Sequence, residues 1–123
     1  MTNNELTYRI IGCAMEVHKT LGPGLLESVY EKALIYEFKK SGLHANNQVS
    51  VPIFYKGEKL GEELRLDIIV EDEVIIELKS VEDVQKVHYK QLETYLKLCD
   101  KKLGLLINFN VEYLKDGITR IIC

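Results

Sequence analysis

Cysteine is scarce and scattered in this chain. Cys13, Cys99 and Cys123 are odd in number and have no paired spacing, so neither a disulfide framework nor a zinc site is indicated. No apolar run approaches the ~20 residues that span a bilayer, which excludes a membrane helix. The opening MTNNELTYR lacks the apolar stretch of a signal peptide, so the cytoplasm is the expected compartment. Internal repeats, low-complexity tracts and Pro- or Ser-rich linkers are also missing, and residues 1–123 are expected to form one domain. An excess of positive charge is lacking too: 16 Lys+Arg stand against 19 Asp+Glu, for a net charge of −3. That balance argues against a protein that coats nucleic acid by charge alone. What remains is an ordinary globular composition of 46% hydrophobic and 28% charged residues. A chain of this length buries roughly two-thirds of its unfolded surface, enough for a real core.

The charge is unevenly spread. Between positions 61 and 83 nine acids stand against Arg65 and Lys79, a net of −7; between 85 and 102 five lysines stand against Glu93 and Asp100, a net of +3. An acidic hairpin beside a basic helix suits a metal site with an anionic substrate, and an ordinary solvated surface also produces it. The order of elements comes from periodicity. Thr2-x-x-Glu5 is a capping box, after which Leu6, Ile10, Cys13, Val17 and Leu21 recur at helical spacing until Gly22-Pro23-Gly24. A second helix is predicted from about Leu26 to Lys40, with Tyr30, Leu34 and Phe38 on one stripe. The period then drops to two. Val49, Val51 and Ile53 precede a turn at Lys56-Gly57, and Leu64, Leu66, Ile68 and Val70 alternate after it. A strand at 74–80, a helix at 84–99, a buried strand at 103–109 and a short edge strand at 117–122 complete the order α-α-β-β-β-α-β-(β). This is an α/β domain with a mixed sheet.

Alternation also decides which side chains share a face. Glu77 and Lys79 point the same way as Ile75, and Asp67 is placed with Arg65 and Ile69. Two carboxylates and a lysine on one hairpin suit a hard cation with oxygen ligands. Such a cation activates water and stabilises charge on a phosphate. A cross-strand ion pair on a wet sheet face fits Glu77 and Lys79 equally well. However, the apolar flanks of 74–78 make an idle charged pair there costly. On the third helix His88, Gln91 and Tyr95 form one stripe beside the core stripe Tyr89, Leu92, Leu96 and Cys99. Their bland reading is boundary residues and a satisfied histidine. Glu27, on the stripe of Tyr30 and Leu34, is expected to lean inward; its bland reading is an acid complementing the helix dipole, worth under about 1 kcal/mol.

Taken together these residues resemble a known family. Gly24-Leu25-Leu26-Glu27-Ser28-Val29-Tyr30 is similar to the motif that names the GxxExxY proteins, a branch of the PD-(D/E)XK nuclease superfamily. Asp67 followed by Glu77-Leu78-Lys79 resembles that superfamily's D…(E)xK core, with Leu66 where its name has Pro. Gln91-Leu92-Glu93-Thr94-Tyr95 is similar to the QxxxY motif of the RecB-like branch. The resemblance runs from about Leu6 to Ile122. It implies a restriction-endonuclease-like core in which Glu27, Asp67 and Glu77 gather Mg²⁺ or Mn²⁺, with the Leu78 carbonyl as a further ligand. Lys79 would be the catalytic lysine, and Gln91 and Tyr95 would steady the site or the substrate backbone. The implied activity is metal-dependent phosphodiester hydrolysis, in DNA first, with a homodimer enlarging a small footprint. A non-catalytic module binding nucleic acid or protein on the same fold is the alternative. The chemistry also sets a register: for Asp67 to stand opposite Glu77, opposed residues must sum to 144, so Val70 faces Val74 and Glu71-Asp72-Glu73 form an odd loop.

Overall fold

The computed structural model describes all residues, 1–123. Two helices, α1 (Asn3–Leu21) and α2 (Glu27–Lys40), precede three strands, β1 (Ala45–Tyr55), β2 (Glu58–Val70) and β3 (Val74–Lys79). Helix α3 (Lys86–Leu98) leads to β4 (Leu103–Asn108), a 3-10 turn at Leu114–Gly117, and β5 (Ile118–Ile122). The predicted order holds throughout, including the short last strand. Thr2 caps α1 by accepting from the Glu5 N–H, and Gly22 ends it at φ +75°, a backbone region cheap only for glycine. Leu21, expected on the buried stripe, is instead exposed, because the stripe has rotated to solvent by the last turn.

The strands form one mixed sheet in the order β1-β2-β3-β4-β5, antiparallel except for β3 and β4. Parallel neighbours need a crossover, and α3 supplies it. Helices α1 and α2 cover one face, where Ile10, Val17, Tyr30, Leu34 and Phe38 pack on Ile68, Val70, Ile76, Leu78 and Ile107. Helix α3 covers the other, placing Leu92 and Leu96 on Ile75 and Leu106. A strand buried on both faces reads as an apolar run, and both β3 and β4 do.

The β2–β3 register pairs Ile68 with Ile76, Ile69 with Ile75 and Val70 with Val74, every pair summing to 144. Glu71, Asp72 and Glu73 make the three-residue loop that the site chemistry requires, with Glu71 and Asp72 both at φ +53°. One expectation fails here. Leu64, Leu66, Ile68 and Val70 do not share a face: Leu64 and Leu66 belong to the layer under α3 with Ile69, while Ile68 and Val70 lie under α1 and α2. The alternation breaks at Asp67. Opposite the break, between the pairs Asn47–Ile68 and Val49–Leu66, Gln48 takes φ +51°. The β1–β2 register is unchanged across it, so both strands turn over together. Arg65, expected beside Asp67, consequently faces solvent.

Candidate active site

The β2–β3 ladder is short and ends where the carboxylates begin. Beyond Ile68–Ile76 the strands fork, and the next residues on each side are Asp67 and Glu77. A fork leaves backbone N–H groups without ladder partners, and buried ones must be satisfied elsewhere. Here the side chains do it. The Leu78 N–H donates to Asp67 Oδ2 at 2.8 Å, and the Asp67 N–H reaches Glu77 Oε1 at 3.5 Å. The two carboxyl groups are therefore on the same side of the sheet and in contact, as the register implies.

Glu77 is 7% exposed, the most enclosed acid of the chain. Burial pushes its carboxyl up to about 9, the negative charge of Asp67 and a hydrogen bond to it push the same way, and the Lys79 ammonium offsets part of this. In the metal-free protein Glu77 thus holds a proton at neutral pH. Lys79, two residues on and half-buried, is in no ion pair, so its amine is uncommitted. Tyr95 on α3 is partly buried against the same core layer. Its hydroxyl is pushed up by burial and then by the charges of Glu77 and Asp67, which places it within electrostatic reach of both. Gln91, one turn earlier, is exposed and makes no side-chain hydrogen bond in the protein. His88 serves the helix itself: its Nδ1 accepts from the Gln85 N–H in a capping box.

Glu27 does not lean inward. It is the first residue of α2 and is exposed, since the chain enters the helix from a surface loop. No three Asp, Glu, His or Cys side chains form a metal-holding group, so Asp67 and Glu77 stand as a pair and Glu27 lies outside it. The loop before Glu27 is nevertheless tied to the site's end of the sheet. The Tyr30 hydroxyl donates to the Gly22 carbonyl at 2.5 Å and accepts from the Leu25 N–H at 3.1 Å, while its ring stacks on Phe109 at 4.3 Å. Ser80, directly after Lys79, donates through Oγ to the Leu25 carbonyl at 2.5 Å. A cleft of about 490 Å³ opens there, lined by Gly24, Leu25, Leu26, Val29, Ser80 and Asn110. It sits at the carboxyl end of the parallel pair, the end where open α/β sheets bind ligands.

Sequence reasoning missed Asn108. This 4% exposed residue ends β4, where its Oδ1 accepts from the N–H groups of Val81 and Asn110 and its Nδ2 donates to the Val81 carbonyl. With the Phe109 N–H on the Lys79 carbonyl, it fixes the segment that carries Lys79 and Ser80. The available signal was a lone amide closing the apolar run Leu103–Ile107.

The donor set fits a hard divalent cation. Two touching carboxyl groups, one nearly enclosed, cannot both be ionised cheaply unless a cation stands between them; otherwise the pair keeps a proton. No curated protein and no solved structure gives a significant match. A protein-family model, that of the PD-(D/E)XK nuclease superfamily, matches residues 4–121. With that match spanning nearly all of its length, and with the three helices and five-stranded mixed sheet of a restriction-endonuclease-like fold, the chain belongs to the PD-(D/E)XK nuclease superfamily.

Proposed function

We propose that this protein is a metal-dependent nuclease that hydrolyses phosphodiester bonds, with DNA as its first candidate substrate. The observation that carries the reading is the contact pair Asp67–Glu77 with the uncommitted Lys79 two residues on, on the sheet face covered by α3. Asp67 and Glu77 would hold Mg²⁺ or Mn²⁺, joined by the Leu78 carbonyl, with Glu27 left outside the ligand set. The bound ion supplies Lewis-acid stabilisation of phosphate charge and a more acidic water. The chain's own residues do the rest. Asp67 is held in place by the Leu78 N–H, so its second oxygen has a fixed direction. The Lys79 ammonium would orient a water and oppose charge that grows on a phosphate oxygen. Tyr95 on α3 would steady the site or the substrate backbone, and Gln91, exposed one turn away, is free to do the same.

The test is incubation with labelled DNA and RNA, single- and double-stranded, in Mg²⁺, Mn²⁺ or EDTA. Cleavage that EDTA stops and Lys79→Ala abolishes supports the reading. No cleavage of any substrate in Mn²⁺ would transfer the protein to the non-catalytic reading, a nucleic-acid- or protein-binding module on the same fold.

A further inference from the structure

We propose that the solvent face of α1 is a self-complementary docking surface for a second copy of this chain, the two helices packing antiparallel about a two-fold axis at Gly12. The inference does not depend on the metal-site reading. Helix α1 covers the sheet face opposite α3, so a dimer built on it leaves both Asp67–Glu77 pairs uncovered.

Gly12 is the first observation. It lies exposed in the middle of α1, where glycine costs about 0.5–1 kcal/mol relative to alanine. Nothing in the fold requires it, since a Cβ added there would meet no atom within 4 Å. A bare stretch on an exposed helix instead suits a second backbone that approaches closely.

The side chains around Gly12 match themselves under the two-fold. At about 100° per residue, Glu5 and Lys19 stand two turns to either side of Gly12 on one line along the helix. Tyr8 and Met15 border that line on one side, Arg9 and Glu16 on the other. A two-fold axis perpendicular to the helices, in the plane between them, reverses their direction and keeps each border on its own side. It therefore sets Tyr8 against the second copy's Met15, Arg9 against its Glu16 and Glu5 against its Lys19. Each of these charges meets its opposite, and each contact occurs twice. Parallel packing would instead oppose Arg9 to Arg9 and Glu16 to Glu16.

The groups involved are uncommitted. The ion pairs within the chain are Lys90–Glu93 and Lys101–Asp72, so none of these four charges is paired, although Glu5–Arg9 and Glu16–Lys19 have helical spacing. Tyr8, at 81%, is the most exposed large apolar side chain of the molecule, and Met15 offers its ring a polarisable sulfur. Grooves flank the ridge on both borders. One of about 510 Å³ runs beside Arg9 and Glu16, and one of about 490 Å³ beside Met15. The Arg9 guanidinium donates to the Ser41 carbonyl, which holds it at the edge of the first groove. One helix face is small beside the roughly 800 Å² per partner of a standard interface, so the association is weak and, resting partly on exposed charges, sensitive to salt.

The experiment is sedimentation velocity of the full chain from about 1 μM to about 1 mM, at low and high salt. Wild type should show a reversible monomer–dimer equilibrium that salt weakens. Arg9→Glu alone and Glu16→Arg alone each bring like charges together and should raise the dimer Kd about tenfold or more. Mixed in equal amounts, these two variants should recover a dimer of wild-type affinity, as should the double variant R9E/E16R by itself. Gly12→Gln should raise the melting temperature of dilute protein while weakening the dimer, which separates association from folding. A wild type that stays monomeric at about 1 mM overturns the proposal. So does a dimer indifferent to these substitutions, which would lie at another surface, or a mixture of the single variants that fails to pair. Loss of DNA binding in Arg9→Glu, with dimerisation unchanged, would give this face to nucleic acid and also overturn it. No metal enters the measurement, so its outcome is separate from that of the nuclease reading.

Discussion

Asp67 and Glu77 differ in what they do for the fold, and this separates their mutants. Asp67 accepts from the Leu78 N–H at the fork, so Asp67→Ala removes a carboxylate of the proposed metal site and also leaves that N–H without its partner. Asp67→Asn keeps an acceptor oxygen and loses only the charge. Calorimetry with Mn²⁺ should therefore show strongly weakened binding for both, with a larger loss of stability for alanine. Wild-type Mn²⁺ affinity in the asparagine variant would remove Asp67 from the site. Lys79 is different because its side chain enters no ion pair. Lys79→Ala should leave the melting temperature close to wild type and abolish turnover, with substrate binding little changed, since the role proposed for it is at the transition state. Cleavage at the wild-type rate would end its assignment as the catalytic lysine. Of these side chains, Glu77 and Lys79 were legible by strand alternation, because a two-residue spacing fixes a common face, whereas Asp67 was matched to Glu77 through the hairpin register, since alternation breaks at Asp67 itself. Asn108 was not: its role depends on a loop 27 residues away, and no periodicity encodes that.

Among the elements, the helices and the order of strands were readable because the hydrophobic period switches cleanly from 3.6 to 2. The extent of the β1–β2 hairpin was not. Residues 46–48 and 58–63 are exposed, so no buried face marks them as strand. The turnover at Asp67 was hidden for another reason. Ile68, Ile69 and Val70 are all buried, and a run apolar in both phases conceals a change of phase. The seating of α3, and with it the position of Tyr95, depends on a residue that periodicity also ignores. Gly104 in β4 lies beneath Leu92, where an added Cβ would meet that side chain at 3.1 Å. Gly104→Val should overpack this contact and cost about 1–3 kcal/mol in a urea titration. Because Tyr95 lies one turn beyond Leu92, turnover should fall as well. A variant with unchanged stability would mean that α3 is not seated by this contact.

At the scale of the whole molecule, the buried acid couples folding to pH, and a cation held as proposed would couple folding to metal. Glu77 binds its proton more tightly when folded, at about 9, than when unfolded, near 4.5. The unfolded state therefore carries fewer protons between those values, and the metal-free protein should lose stability as pH rises through that window. Glu77→Gln keeps the shape of the protonated acid without a proton to lose, and should remove most of that slope. A divalent cation bound by the pair as proposed would reverse the sign. It must displace the Glu77 proton to bind, so its affinity rises with pH over the same window. Because ligand bound only to the folded state adds stability in proportion to the logarithm of its concentration over Kd, the melting-temperature gain from excess Mn²⁺ should be larger at about pH 8 than at about pH 6. The two trends oppose each other, so thermal melts with and without Mn²⁺ should diverge as the medium becomes more alkaline. Parallel melting curves across that range, with no effect of Glu77→Gln on either, would show that Glu77 neither holds the proton nor yields it to a metal.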